Sequence, residues 1–305
     1  MGGAIRIGIS GWTYPPWRGV FYPPKLLHHK ELNYAASILN SIEINGTFYS
    51  LQRPESFLSW TEQTPEEFIF AVKAPRYITH LKRLREVEAP LANFLASGLL
   101  RLGSKLGPIL WQFPPNFRFD AERFAAFLPM LPHDTERAAA MARAHDSKMA
   151  GRAWTETDAH RPMRHAIEIR HESFRDQTFI DLLGKYGIGL VCADTVSWPR
   201  LMDLTSDFVY CRLHGSEELY ASGYDDDALD IWAERVVAWV RGGEPADAER
   251  IGGPSPRNRR DVFVYFDNDA KVRAPQDAQA LASRVRARLG GPHPSPLPRA
   301  GEGAS

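Results

Sequence analysis

The stretch Phe208-Val209-Tyr210-Cys211-Arg212-Leu213-His214 interleaves an apolar set, Val209, Cys211 and Leu213, with a polar one, Tyr210, Arg212 and His214. Alternation with a period of two marks a β-strand whose two faces meet different surroundings. In a closed barrel one face packs on surrounding helices and must be apolar, while the other points inside. The run therefore predicts Val209, Cys211 and Leu213 outward and Tyr210, Arg212 and His214 inward. The same phase recurs along the chain. In Ser41–Phe48 it sets Ile42 and Ile44 outward and Glu43, Asn45 and Thr47 inward; in His165–Arg170 it sets Ile167 and Ile169 outward and Glu168 and Arg170 inward. By the same rule Ser10, Lys73, Gln112, Tyr265 and Asp267 point inside from four further runs.

Working outward, the strand-like runs are Ile5–Ile9, Ser41–Phe48, Glu67–Ala74, Pro108–Phe113, His165–Arg170, Gly189–Asp194, Phe208–His214 and Val262–Asp267. That is the strand number of a TIM barrel. Helical patterns fall near Glu31–Leu39, Glu55–Gln63, Leu91–Leu102, Ala121–Leu131, Gln177–Tyr186, Asp226–Arg241 and Asp277–Leu289, and the segment after the sixth strand shows no clear pattern. In the sixth of these helices Leu229, Trp232, Val236 and Trp239 form one apolar stripe at three-to-four spacing. Alternation of strand and helix predicts an α/β chain with parallel strands, a single TIM-type (β/α)8 barrel, with a doubly wound open sheet as the alternative.

The 305 residues suit one such barrel of roughly 250 residues plus additions. Three segments look added: an insertion over 133–164 with an Ala-rich charged helix, a Gly- and Pro-rich loop over 242–260 read as mobile, and a tail over 291–305 read as disordered. Lys plus Arg and Asp plus Glu both total 37, so no global field recruits nucleic acid and any anion binding must be local. Two cysteines in apolar runs read as a reduced pair, and neither a secretory leader nor a long apolar stretch is apparent, which predicts a cytoplasmic protein without a membrane partner. Nothing in the pattern fixes an oligomeric state.

Most of the inward polar residues lie late in their strands and so gather at the C-terminal mouth, where barrel enzymes keep their active sites. Buried charges are costly unless paired, so one reading is an ion network of Glu43, Glu168, Lys73, Arg170 and Arg212 that only fills the barrel. The other is a functional pocket, which also accounts for His214, Asp194, Tyr265 and Asp267 at the same end. On the second reading Glu43, Glu168, His214 and Asp267 are the candidate catalytic acids and bases. Ser10, Trp12, Asn45, Tyr49, Lys73, His80, Gln112, Arg170, His171, Asp194, Arg212, Tyr265 and Asn268 are the candidate substrate contacts. His80 and His171 suit a loop-anchoring or helix-capping role equally well. Loop aromatics, among them Trp12, Trp17, Phe21, Tyr49, Tyr77, Trp198 and Tyr220, suit a ring-containing ligand such as a sugar or nucleobase, or simply a covered rim.

In chain order, Gly8-Ile9-Ser10-Gly11-Trp12, Glu43-Ile44-Asn45-Gly46-Thr47-Phe48-Tyr49, Lys73-Ala74-Pro75 with Thr79-His80, Gln112-Phe113-Pro114-Pro115, Glu168-Ile169-Arg170-His171, Asp194, Arg212-Leu213-His214-Gly215 and Tyr265-Phe266-Asp267-Asn268-Asp269 form a specific series. With it the chain resembles the domain-of-unknown-function 72 family, also called YecE-like, from about Ile5 to Leu289. The resemblance implies a TIM-type barrel with a pocket at its mouth and supplies no reaction. Two positions depart from it: Asp267, where the family often has Asn, and Phe174, where it often has Trp.

Three functions compete. The first is a hydrolase or lyase on an anionic, phosphorylated or nucleic-acid-derived substrate: Lys73, Arg170 and Arg212 hold the anion, Glu43 or Glu168 is the general base, and His214 or Asp267 gives the proton. Paired carboxylates also permit glycoside hydrolysis. The second is a divalent-metal site on Glu43, Glu168, Asp194, His214 and Asp267, opposed by the neighbouring cations. The third is a non-catalytic binder of nucleic acid or a phosphorylated metabolite, extended by Lys82, Arg83 and Arg85 and by Arg257, Arg259 and Arg260. No cofactor is predicted, since the chain lacks GxGxxG and GxxxxGK[ST] spacing, HExxH and paired cysteines; Ser10 lacks a GxSxG elbow.

Overall fold

The computed structural model describes residues 3–215, 223–268 and 272–290. Tyr220, Asp269 and the predicted tail over 291–305 lie outside the described residues. Eight parallel strands close on themselves in chain order: β1 (Ile5–Ser10), β2 (Ser41–Ile44), β3 (Ile69–Lys73), β4 (Leu106–Gln112), β5 (His165–Glu168), β6 (Gly189–Asp194), β7 (Phe208–Leu213) and β8 (Asp261–Phe266), with β8 returning to β1. The barrel reading holds, and the open sheet is excluded by the β1–β8 pairing.

The helices around it are α1 (Glu31–Ile38), α2 (Gly46–Tyr49), α3 (Pro54–Glu62), α4 (Glu88–Ala96), α5 (Ala121–Phe127), α6 (Thr135–Ala142), α7 (Gln177–Lys185), α8 (Asp226–Val240) and α9 (Ala274–Arg288). The stripe Leu229, Trp232, Val236 and Trp239 on α8 is buried as its spacing requires, and the Asp225 carboxylate caps that helix by accepting from the Ala228 amide at 2.8 Å. The helix expected over Leu91–Leu102 starts earlier and breaks at Gly98, whose φ of 110° lies in the left-handed region. A Cβ there would stand 2.4 Å from the Pro54 Cα, so α3 and this turn meet only over glycine.

Two strand boundaries differ from expectation in ways that matter to the site. The run Ser41–Phe48 stays extended only to Ile44; Asn45 (φ −88°, ψ −25°) leaves the β region and α2 begins at Gly46. Asn-Gly is a turn dipeptide, and it overrides the apolar alternation that continues past it. Thr47 therefore does not point inside as a strand residue; its hydroxyl donates to the Lys73 carbonyl at 2.7 Å and ties α2 to the end of β3. Arg170 and His214 lie just past the ends of β5 and β7.

No helix separates β6 from β7. That side is covered by buried Leu201 and Met202 and by residues of the 242–260 loop: the Met202 amide donates to the Glu249 carbonyl at 2.8 Å, and the Asp203 carboxylate accepts from the Ile251 and Gly252 amides. The insertion begins with α6, whose Ala138, Ala139 and Ala142 are buried, and packs outside α4. Its turn at Asp146 donates an amide to the Asn93 side chain at 2.9 Å. Among the described residues no helix is long and apolar enough to cross a membrane.

Inside the barrel the side chains stack in layers. Phe208 and Phe263 fill the entry end, and Ala71, Leu110, Ala166, Val191, Tyr210 and Tyr265 fill the middle. Close approach is specified at Gly8, where a Cβ would stand 1.8 Å from the Ser41 carbonyl oxygen. The register aligns Ser10 with Glu43 and Gln112 with Glu168, so these polar side chains form one layer above the middle one.

Candidate functional site at the barrel mouth

Arg212 is the centre of that layer. Its guanidinium donates from Nε to Glu43 Oε2 (3.1 Å), from Nη1 to Glu168 Oε2 (2.6 Å), and from Nη2 to Glu43 Oε1 (2.9 Å), Asp267 Oδ2 (2.8 Å) and Ser10 Oγ (3.1 Å). Arg212, Glu43 and Glu168 are fully buried. Three carboxylates around one guanidinium hold it far above its already high range, against the opposing effect of burial. Arg212 is thus a permanent internal counter-ion, and the fork geometry lets one side chain satisfy three acids.

The remaining lone pairs are used as fully. Glu43 also accepts from the Ser10 hydroxyl and, at 2.5 Å, from the Tyr210 hydroxyl. Burial and then Glu43 push the Tyr210 phenol well above its usual range, so it stays a donor. Asn45 Nδ2 donates to Ser10 Oγ at 2.9 Å and closes that edge of the layer. Glu168 accepts from both Gln112 Nε2 (3.1 and 3.2 Å) and Arg170 Nε (2.7 Å). Burial alone would raise the Glu168 carboxyl, yet Arg170 and Arg212, with His214 and Lys73 behind them, hold it well below the usual carboxylate range. Neither glutamate keeps the weakly bonded lone pair that a general base needs.

Asp267 and His214 form a dyad at 3.1 Å between Oδ2 and Nδ1, with His214 Nε2 3.7 Å from Glu168 Oε1. Burial opposes ionisation of Asp267, but Arg212 and the bond to His214 keep it below the usual range. His214 is fully buried and meets the edge of Trp198 at 5.4 Å, whereas Asp267 keeps 13 % of its side chain exposed.

Two cations lie at the surface of the layer. Arg170 lies over Trp198, its guanidinium carbon 3.8 Å from the ring centroid, and spends only its Nε on Glu168 among the described residues. Lys73, 7 % exposed at the end of β3, places Nζ 4.2 Å from the centre of the Phe48 ring. No carboxylate of the described residues lies within ion-pair distance of it. Burial, then repulsion from Arg212, bring its ammonium down from 10.5 to about 8, although Asp267, Glu43 and Glu168 pull the other way.

Other predicted contacts lie elsewhere. Asp194 is on the helix-facing side of β6, where it accepts from Trp232 Nε1 (3.1 Å) and pairs with Arg200 (3.3 Å); the run Gly189–Asp194 has its inward phase on Val191. Tyr265 sits one layer deeper and shares a 2.7 Å hydrogen bond with Ser41. Asn268 donates to Asp277 at 2.9 Å and anchors α9. His171 accepts from the Ser173 amide at 3.0 Å and caps a short turn. His80 shares a 2.8 Å bond with Thr79 and packs its ring on Phe48; burial, then Arg76, lower it to about 4, so it is neutral at physiological pH. Trp12 packs edge-on against Trp60, and Tyr49 is 70 % exposed on the rim.

Sequence reasoning missed Phe48 as a neighbour of Lys73, because the alternation carried it outward on β2, and left Tyr210 out of the site although its inward phase was read. Among the described residues no group of three or more His, Cys, Asp or Glu side chains is arranged to hold a metal ion. The acids converge on a guanidinium instead.

The chain matches the family described as "Protein of unknown function DUF72" over residues 6–301. It is 33 % identical over 113 residues to the UPF0759 protein YecE of Escherichia coli K12, a stretch covering 37 % of this chain and 39 % of YecE, and 33 % identical over 126 residues to the UPF0759 protein YunF of Bacillus subtilis 168, covering 40 % and 44 %. The matched stretches thus span about two-fifths of these relatives' lengths. The fold superposes on the crystal structure of a DUF72 family protein from Thermotoga maritima with a TM-score of 0.68 at 24 % identity, covering 94 % of this chain and 99 % of that one. A second DUF72 protein, from Enterococcus faecalis, gives 0.65 at 18 % over 92 % and 95 %. A match over nearly the whole barrel, with the fold it requires, makes this chain a member of the DUF72 family.

Proposed function

We propose that the mouth is the active site of a hydrolase or lyase acting on an anionic substrate by general acid–base chemistry. One observation carries the reading: the carboxylates spend themselves on Arg212 below, while among the described residues Lys73 and Arg170 keep unspent donors above. A layer that only filled the barrel would pair these two cations as it pairs Arg212, since an unneutralised buried ammonium is costly. Arg170, held over the Trp198 ring, offers its terminal nitrogens to a carboxylate or phosphate. Lys73 is the proton carrier, because its depressed pKa lies near neutral, where transfer in either direction is efficient. Glu43 and Glu168 position Arg212 and Arg170 instead of abstracting protons, and Asp267 orients His214 as a second relay.

The alternative of a non-catalytic nucleic-acid or phosphometabolite binder draws on a largely basic cleft of about 370 Å³ lined by Leu81, Lys82, Arg83, Arg85, Arg123 and the Glu86 that pairs with Lys82 at 3.0 Å. The second basic run does not extend it, for residues 257–260 precede β8 and lie at the opposite end of the barrel, with Arg260 buried on the carbonyls of Pro256, Asn258 and Ser206. The test is a turnover screen over phosphorylated and nucleic-acid-derived compounds, repeated with Lys73→Met and Arg170→Ala. Loss of kcat in the first and a raised KM in the second support the enzyme; turnover unchanged in both refutes it.

A further inference from the structure

Among the described residues two lysines are buried, in contrasting ways. Lys105 donates to the Thr61 carbonyl (2.7 Å), the Thr64 carbonyl (2.8 Å) and the Thr64 hydroxyl (3.1 Å), which satisfies all three N–H groups and closes the end of α3. Lys73 makes no such bonds among the described residues; it lies against a phenyl ring at the mouth, with nearby acids already committed to Arg212. Burial and the neighbouring Arg212 guanidinium favour the uncharged nitrogen, against the pull of the Phe48 ring face on the ammonium, and a lysine so placed at a mouth has the surroundings of an amine nucleophile.

We propose that Lys73 forms an imine with an aldehyde or ketone that carries a carboxylate or phosphate group. The inference rests on the anionic-substrate reading, narrows it to a lyase on a carbonyl compound, and changes the role of Lys73 there from proton carrier to nucleophile, with the Asp267–His214 pair left to move protons. Arg170 holds the anionic group while Lys73 Nζ meets the carbonyl carbon. In the step, the nitrogen lone pair forms a C–N bond and the carbonyl π pair moves to oxygen, which takes a proton to give a carbinolamine. That first proton comes from the attacking nitrogen; a second, from solvent, lets the nitrogen pair expel the oxygen as water, forming the protonated C=N. Nothing is oxidised or reduced. The iminium accepts the electron pair of a neighbouring C–C or C–H bond as it breaks, and hydrolysis returns the amine.

With a pKa of about 8, roughly a tenth of Lys73 is neutral at pH 7, against about one part in a few thousand for an exposed lysine. The test incubates the whole protein with glyoxylate or glycolaldehyde phosphate plus cyanoborohydride and maps the modified lysines by peptide mass spectrometry. Binding of inorganic phosphate is measured by calorimetry in parallel. The expected result is labelling of Lys73 at least tenfold faster than exposed Lys25 and Lys30, rising as pH approaches about 8, with glyoxylate or the phosphate ester preferred according to the natural anion. Labelling at Lys73 no faster than at Lys25 and Lys30 overturns the imine. If phosphate nonetheless binds, the anion reading stands without it; if neither occurs, both fall. Lys73→Arg should keep phosphate binding while losing the label, separating charge from nucleophilicity.

Discussion

Replacing Lys73 by Met is expected to stabilise the protein. The ammonium is nearly buried, and its fall from 10.5 to about 8 means that the folded state resists protonating it while the unfolded chain does not. At about 1.4 kcal/mol per pH unit the penalty comes to roughly 3 kcal/mol near pH 7. Methionine has a similar length and carries no charge, so Lys73→Met should recover about 2–3 kcal/mol after small packing losses. The sign of the pH dependence follows from proton counting. Below about 8 both folded and unfolded chains hold the proton and the penalty is full; between 8 and 10.5 only the unfolded chain does, and the penalty fades. Urea denaturation of both proteins at pH 7, 8.5 and 10 measures it. The advantage of the variant should be largest at pH 7 and shrink steadily toward pH 10. A variant less stable than the parent at pH 7 would show that Lys73 is paired in solution, and the argument for an unspent cation would fail.

Arg212→Met should cost about 3–5 kcal/mol, because it leaves Glu43, Glu168 and Asp267 buried without a counter-ion; urea midpoints test this, and adding Glu168→Gln should restore part of the loss. Glu168 and Asp267 titrate below the usual range, so their contribution is fully present above the ordinary carboxylate pKa and drains as pH falls through their folded values. The stability gap between the parent and Asp267→Asn should therefore narrow on going from pH 6 to pH 3. His165 accepts from Trp111 Nε1 (3.1 Å) and donates from Nε2 to the Pro132 carbonyl (2.7 Å), and burial lowers it to about 4. Its imidazole should remain neutral by NMR at pH 5.5, and titration near 6.5 would contradict the burial argument. Gly8→Ala should abolish soluble expression, since its Cβ would overlap the Ser41 carbonyl.

The barrel was legible because its outward faces must be apolar: Ile42, Ile44, Val209, Cys211 and Leu213 fix the phase of their strands and thereby send Glu43 and Arg212 inside. That rule expires where a strand ends. Past Ile44 the Asn-Gly turn rotates Thr47 and Phe48 out of register, and the alternation still printed in the residues misplaces them. Asp194 was misplaced for a related reason, since a carboxylate on the helix-facing side is tolerable only because Trp232 and Arg200 reach it from far along the chain. Such partners leave no local signal. Which cations stay outside the carboxylate network among the described residues is likewise a three-dimensional fact: the alternation sends Lys73, Arg170 and Arg212 all inside, and only their distances to the acids separate the central counter-ion from the other two. The missing helix between β6 and β7 matches the segment without periodicity, and its cover by residues from beyond α8 depends on Asp203 finding the Ile251 and Gly252 amides.

The claim that Lys73 and Arg170 await an anion is tested most directly by diffraction from crystals soaked in phosphate. The account predicts a tetrahedral anion within hydrogen-bonding distance of Lys73 Nζ and the terminal nitrogens of Arg170, above an Arg212 still bound by its three carboxylates. A mouth without anion density, in which Lys73 and Arg170 bond to carboxylates or carbonyls of the protein itself, would contradict it and make the layer a closed ion network.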